Sequence, residues 1–167
     1  MRAAHWKLYA ILGLGSVAAY NAVPVGLWKD TVLYAAIAAS GIAAIVVGII
    51  LNRPGPATAW LLFAVGQSAF LSGDMIFSAF LHLEGREAPR FADVVYLSGY
   101  PLLVLGLWQV VRARNRRMDW ASLLDAAIVS IGAGVLLWVF LIAPLSHDLP
   151  TLDRAIAIAF PVMDLVL

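Results

Sequence analysis

The feature that most constrains this chain is the recurrence of apolar runs along its whole length. A transmembrane α-helix needs about 20 consecutive, mainly apolar residues to cross the hydrocarbon core of a bilayer. Six such segments are separated by short polar connections, at about 6–23, 31–51, 58–82, 92–111, 119–143 and 152–167. The pattern predicts an all-α, polytopic transmembrane bundle of about six spans that forms a single integral-membrane domain, with the lipid bilayer as its main partner.

Composition agrees with this class and excludes several functions. Hydrophobic residues make up 63% of the chain and charged residues 13%, against about 45–50% and about 25% in soluble domains. The net charge of +1 gives no case for binding nucleic acid. The absence of cysteine excludes disulfides, thiol catalysis and Cys-ligated metal centres. No catalytic constellation stands out, and neither a catalytic residue nor a cofactor is predicted.

The charged residues of the connections predict an orientation. Because six spans alternate sides, one set of termini and connections carries Arg2, Lys7, Arg53, Arg112, Arg114, Arg116 and Arg117. The opposite set carries fewer basic residues, namely Lys29, Arg86, Arg90 and Arg154. The positive-inside rule therefore predicts a cytoplasmic N-terminus and a cytoplasmic arginine cluster. The last segment is still apolar at Leu167, and we expect the native protein to continue.

The third segment carries polar side chains inside the predicted membrane. They recur at three- and four-residue steps, on one helical stripe: Gln67, Leu71, Asp74, Ser78 and His82. Lipid cannot satisfy such groups, so the stripe is expected to face the bundle interior. Asp74 is predicted to lie roughly 24 Å from the cytoplasmic end. Asp93 and Tyr96, at the start of the fourth segment, are its expected neighbours.

Two further acids lie in the fifth and sixth segments. By helical rise, Asp125 lies about 9 Å and Asp164 about 10–12 Å from the cytoplasmic surface. These two acids are therefore expected to share a level, away from Asp74. Pro101 and Pro161 each remove a backbone donor within a span, which predicts kinks in the fourth and sixth helices.

The intramembrane acids have two interpretations. Either they bind a ligand or a proton, or they are hydrogen-bonded contacts that fix helix packing. A weaker alternative is metal or haem ligation by His82 and His147, which fall near the same predicted surface. The ridge Ser40, Ala44 and Gly48 in the second segment suits close helix packing, either within the bundle or in a homodimer.

A set of short motifs adds a resemblance to a known family. In order, the motifs are Pro56, Trp60, Gly66-Gln67, Gly73-Asp74, Ala92-Asp93-Val94-Val95-Tyr96-Leu97, Tyr100-Pro101-Leu102, Leu124-Asp125, Trp138, Phe140-Leu141-Ile142-Ala143-Pro144 and Phe160-Pro161-Val162-Met163-Asp164. Over about residues 50–167 this order resembles the multi-span N-terminal region of bacterial, especially actinobacterial, signalling proteins that carry GGDEF diguanylate cyclase domains, some with EAL domains. Phe160-Pro161 stands where that family more usually has Tyr-Pro.

The resemblance implies a sensory or regulatory input module in the bacterial inner membrane. It also implies a cytoplasmic output domain attached after the last span, where the intact protein would carry any diguanylate cyclase activity. The main alternative is a small transporter or proton-conducting protein that uses the three intramembrane acids.

Overall fold

The computed structural model describes residues 5–24, 26, 28–86, 88–114, 120–143 and 150–167. All regular structure in these ranges is helical, which confirms the all-α prediction. The helices are α1 (His5–Ala22), α2 (Tyr34–Asn52), α3 (Ala57–Ala79), α4 (Phe91–Leu97), α5 (Gly99–Arg114), α6 (Trp120–Leu137) and α7 (Thr151–Val166). Short π-helical segments precede α2 and follow α3 and α6, at Trp28–Leu33, Phe80–Glu84 and Trp138–Ile142.

Three of the helical stretches are long and apolar enough to cross a membrane. They run over Lys29–Asn52, Ala57–Glu84 and Phe91–Ala113, close to the predicted spans 31–51, 58–82 and 92–111. Leu124–Phe140 is a shorter apolar helix, and α1 and α7 have 18 and 16 residues. Length and composition alone do not establish that any of these helices crosses a membrane, and the count of six spans stays a prediction.

The connection between α2 and α3 shows why these helices end where they do. Arg53 adopts a left-handed conformation, with φ of 45°, and its N–H donates to the carbonyl of Ile49. Such a residue caps the carbonyls at a helix C-terminus. Pro54 and Pro56 then prevent the helix from continuing, since proline has no N–H to donate. At the other end of the hairpin, Gly85 has φ of 63° and closes the π-helical segment after α3.

The two prolines within helices have different surroundings. The fourth predicted span is interrupted at Ser98, between α4 and α5. Pro101 lies three residues later, and its ring would clash with the carbonyl of Leu97 in a continuous helix. Pro161, by contrast, is buried inside α7, which runs unbroken through it.

A seam of small residues holds α3 against α4 and α5. Four glycines each face a large side chain on the opposing helix: Gly66 faces Leu103, Gly73 faces Tyr96, Gly99 faces Phe70 and Gly106 faces Phe63. A methyl group added at any of them would lie within 2.8 Å of the facing side chain. The numbers rise on one helix as they fall on the other, so the helices are antiparallel. Small residues allow this close backbone approach, which is the usual basis of helix packing in membranes.

The buried positions are mainly small residues, and many large apolar side chains point outward. Ala59 and Ala64 are buried, whereas Leu14, Val129 and Phe140 are 73%, 71% and 76% exposed. In water such exposure would be costly. In a bilayer it costs little, because acyl chains are as apolar as leucine. The distribution therefore fits a protein whose outer surface meets lipid.

Candidate functional site

Three polar pairs join the start of α2 and its preceding turn to the end of α3. We call them the polar ladder: Tyr34 with Asp74, Thr31 with Ser78, and Asp30 with His82. The Tyr34 hydroxyl donates to Asp74 Oδ2 at 2.5 Å. The Thr31 and Ser78 hydroxyls share a hydrogen bond, and His82 Nε2 lies 3.5 Å from Asp30 Oδ2. In the ladder, polar groups at the start of α2 therefore pair with polar groups at the end of α3.

The ladder follows from helix periodicity. Asp74, Ser78 and His82 are four residues apart, so their side chains lie on one face of α3 and its extension. The expectation that the whole stripe faces the interior does not hold at Gln67, which is exposed and makes no hydrogen bond to any described residue. The interhelical contacts of the stripe therefore begin at Asp74, and Gln67 does not belong to the polar ladder.

Four aromatic rings pack between α3, the α4–α5 pair and α7. Phe70 stacks on Tyr96 with ring centroids 4.6 Å apart, and it meets Tyr100 edge-on at 4.9 Å. Phe160 of α7 meets Tyr96 edge-on at 5.4 Å. Aromatic pairs in such geometries contribute about 0.5–1.5 kcal/mol beyond the burial of their area. The cluster fixes the Tyr96 ring and brings α7 to the α3–α4 interface.

A second phenol holds the acid of α7. Tyr100 is buried, and its hydroxyl donates to Asp164 Oδ1 at 2.5 Å. At the N-terminal ends of α4 and α7, Arg90 Nη2 lies 3.0 Å from Asp153 Oδ1. In these two pairs the residue numbers increase in the same direction on both partners, so α7 runs parallel to α4 and α5. Asp164 therefore lies beside the aromatic cluster and near the level of Phe70.

The expectation that Asp125 and Asp164 share a level is not met. Helix α7 contacts α6 where Leu165 lies against Gly134. Asp125 precedes Gly134 by about nine residues, which is roughly 13 Å of helix. Its side chain is exposed and makes no hydrogen bond or ion pair within the described part of the chain. The two acids do not share a level, because the partner of Asp164 comes from α5.

A cleft of about 340 Å³ lies beside Asp74. Its walls include Asp74 and Phe77 from α3, Asp93 and Tyr96 from α4, and Phe160 from α7. The sequence predicted Asp93 and Tyr96 as neighbours of Asp74, and the structure brings all three to this cleft. Its volume falls in the range of roughly 300–1,000 Å³ typical of small-molecule sites.

The structure describes only one of the two histidines that were considered as metal or haem ligands. His82 belongs to the polar ladder, and His147 lies outside the described residues. Among the side chains that the structure describes, no group of three histidine, cysteine, aspartate or glutamate residues is placed to hold a metal ion. Of the arginine cluster that is predicted to be cytoplasmic, Arg116 and Arg117 also fall outside the described ranges.

Sequence reasoning missed the partners of the intramembrane acids. Tyr34 and Thr31 were not singled out, and neither was the role of Tyr100 as a donor to Asp164. A signal for the first two was present, since residues 34 and 74 are equidistant from the Arg53–Pro56 turn of an antiparallel hairpin. Phe160 gave no such signal, because more than 70 residues separate the end of α3 from the start of α7.

Comparison with known proteins adds no relative. No protein-family model matches this chain, and no curated protein or solved structure matches it. The resemblance to the GGDEF-associated membrane region therefore stays a prediction. The function proposed below rests on the geometry of the cleft and of the contacts that surround it.

Proposed function

We propose that this chain is a membrane sensory or regulatory input module in which a stimulus at the Asp74 cleft changes the position of α7. The observation that carries the proposal is that three separate helical elements, α3, α4 and α7, share the walls of one cleft. A ligand that contacts all three stabilises one arrangement of them over others. An equilibrium between arrangements shifts only by the difference in affinity for each, and a shared cleft supplies such a difference.

Helix α7 is attached through a few defined contacts. Phe160 lines the cleft, and one turn later Asp164 accepts the hydrogen bond from Tyr100. The Arg90–Asp153 ion pair holds the start of α7. A change beside Asp74 therefore reaches α7 directly through Phe160. Helix shifts on the order of 1–2 Å are a common switching movement.

In this proposal the module has six spans, a cytoplasmic N-terminus and a place in the bacterial inner membrane. Helix α7 then leads toward a cytoplasmic output domain of the diguanylate cyclase type. The motif order over about residues 50–167 supports this assignment. A reading frame that continues past Leu167 into a GGDEF domain would agree with it, and an in-frame stop directly after Leu167 would contradict it.

The alternative, a transporter or proton-conducting protein, needs a path between its acids. Asp74 and Asp164 are each hydrogen-bonded to a different tyrosine, Tyr34 and Tyr100. Within the described part of the chain, no hydrogen bond links one of the three acids to another. This arrangement favours an input module.

The coupling between cleft and helix can be measured by distance. The chain has no cysteine, so spin labels can be attached at Leu61→Cys on α3 and Val162→Cys on α7, both surface positions. We expect Asp74→Asn, which alters the cleft wall, to shift the measured inter-label distance by about 1–2 Å. Pulsed electron resonance on the full chain in nanodiscs gives the distance distribution.

Asp125→Asn is the matched control, because it removes the same charge from a membrane helix away from the cleft. Its distance distribution should overlay that of the unsubstituted chain. Identical distributions for Asp74→Asn and the unsubstituted chain would show that the cleft does not control α7, and the proposed function would fail.

A further inference from the structure

We propose that the Asp74 cleft binds an organic ammonium group, either of a free amine or of an ammonium lipid headgroup. This inference names the ligand class of the site and rests on the proposed function only for its biological role. The polar groups in the cleft wall are the carboxyls of Asp74 and Asp93 and the hydroxyl of Tyr96. Among the described residues that line this cleft there is no lysine, arginine or histidine. An anionic ligand would meet two carboxyls without a compensating positive charge, so the wall selects for a cation.

The carboxyl of Asp74 is oriented by one hydrogen bond and can accept further ones. Tyr34 donates to Oδ2 alone, and a carboxylate has about four acceptor positions on its two oxygens. Asp93 makes no hydrogen bond or ion pair with the residues described. Both carboxyls therefore retain acceptor capacity for the N–H groups of an ammonium.

The other walls distinguish an organic cation from a metal ion. Tyr96, Phe77 and Phe160 contribute aromatic rings, whose faces attract cations by about 0.5–2 kcal/mol. Hard divalent ions require six or more oxygen ligands or tightly held water, which aromatic walls do not offer. An ammonium with an apolar body can satisfy the carboxyls and the rings together.

The position of the cleft gives such a ligand access. Asp93 is in the first turn of α4, close to the N-terminal ends of α4 and α7, where Arg90 and Asp153 pair. Phe77 lines the cleft and is 54% exposed, so the cleft opens on the surface of the bundle. A water-borne amine and a lipid headgroup both reach this level of a membrane protein.

The test is a calorimetric titration of the full chain in the uncharged detergent dodecyl maltoside. The probe is 2-phenylethylammonium, and the neutral probe 2-phenylethanol has a similar size. We expect saturable binding of the ammonium at one site per chain and at least tenfold weaker binding of the alcohol, about 1.4 kcal/mol. Asp93→Asn should weaken ammonium binding by at least about tenfold, since Asp93 faces the cleft and has no other described partner.

Asp125→Asn serves as the control and should leave the affinity unchanged. If Asp93→Asn does not fold, Phe77→Leu takes its place and should weaken binding through loss of one ring. Equal binding of the two probes, no saturable binding above empty micelles, or full affinity in the cleft variant would overturn the inference.

A competition arm identifies the source of the ammonium. Displacement of the probe by phosphatidylethanolamine but not by phosphatidylglycerol assigns the site to a headgroup, and displacement by neither assigns it to a free amine. The binding result is independent of the inter-label distance. Ammonium binding without movement of α7 would leave this inference standing and remove the proposed function, and movement without ammonium binding would do the reverse.

Discussion

Replacing Gly73 with alanine is expected to destabilise the bundle by about 3 kcal/mol, near the upper end of the range for overpacked cores. A methyl group at this position would lie 2.7 Å from Tyr96 Cβ, 3.0 Å from its Cα and 3.1 Å from its N. Rotation of a side chain cannot relieve these contacts, because they involve the backbone of α4. The helices must therefore separate, and the aromatic cluster around Tyr96 must open. Unfolding by sodium dodecyl sulfate in mixed micelles, followed by circular dichroism, measures the loss.

Gly48→Ala is the matched control for this substitution. Gly48 also lies within a helix that is apolar enough to cross a membrane, and a methyl group there would meet no atom within 4 Å. Alanine is the better helix former by about 0.8–1.0 kcal/mol, so Gly48→Ala should be neutral or slightly stabilising. Equal destabilisation by the two substitutions would show that the loss at Gly73 does not come from the α3–α4 contact.

Tyr100→Phe is expected to destabilise the chain by about 1–3 kcal/mol while keeping the aromatic packing. The substitution removes the only described donor to the carboxyl of Asp164. Asp164 is exposed on the last turn of α7, and a polar group left without its partner costs about 1–3 kcal/mol. The same unfolding titration measures the effect.

The double variant Tyr100→Phe/Asp164→Leu should recover most of this loss, because neither partner then remains polar. Tyr9→Phe provides a control at an exposed phenol, which donates to the Ser40 carbonyl at 3.0 Å, and it should cost less than about 1 kcal/mol. If the double variant is as unstable as Tyr100→Phe, the unpaired carboxyl is not the cause.

The sequence predicts the helices well and their lateral arrangement poorly. Apolar runs set the bounds of α2, α3 and the α4–α5 pair, because bilayer thickness fixes helix length. The four-residue spacing of Asp74, Ser78 and His82 likewise fixes a shared helical face. Which helix meets that face depends on packing between segments, and neither hydrophobic length nor spacing specifies it.

The position of Asp164 could not be predicted from its depth in the membrane alone. Helical rise from an assumed membrane boundary predicted the same depth for Asp164 and Asp125. In the structure, Tyr100 and Phe160 bring α7 alongside α5 and hold Asp164 at the aromatic cluster. The glycines that let α3 pack closely against α4 and α5 are visible in the sequence, but the register between α3 and α5 is not. That register decides which residues surround the cleft.

The most direct test of the site is a double-mutant cycle on the pair Tyr34 and Asp74. If the phenol of α2 holds the carboxyl of α3, then Tyr34→Phe, Asp74→Leu and the double variant should give a coupling energy of about 0.6–1.7 kcal/mol in the free energy of unfolding. Coupling in this range would show that Asp74 is turned toward α2 inside the bundle. Additive losses, with no coupling, would contradict the polar ladder and the cleft that depends on it.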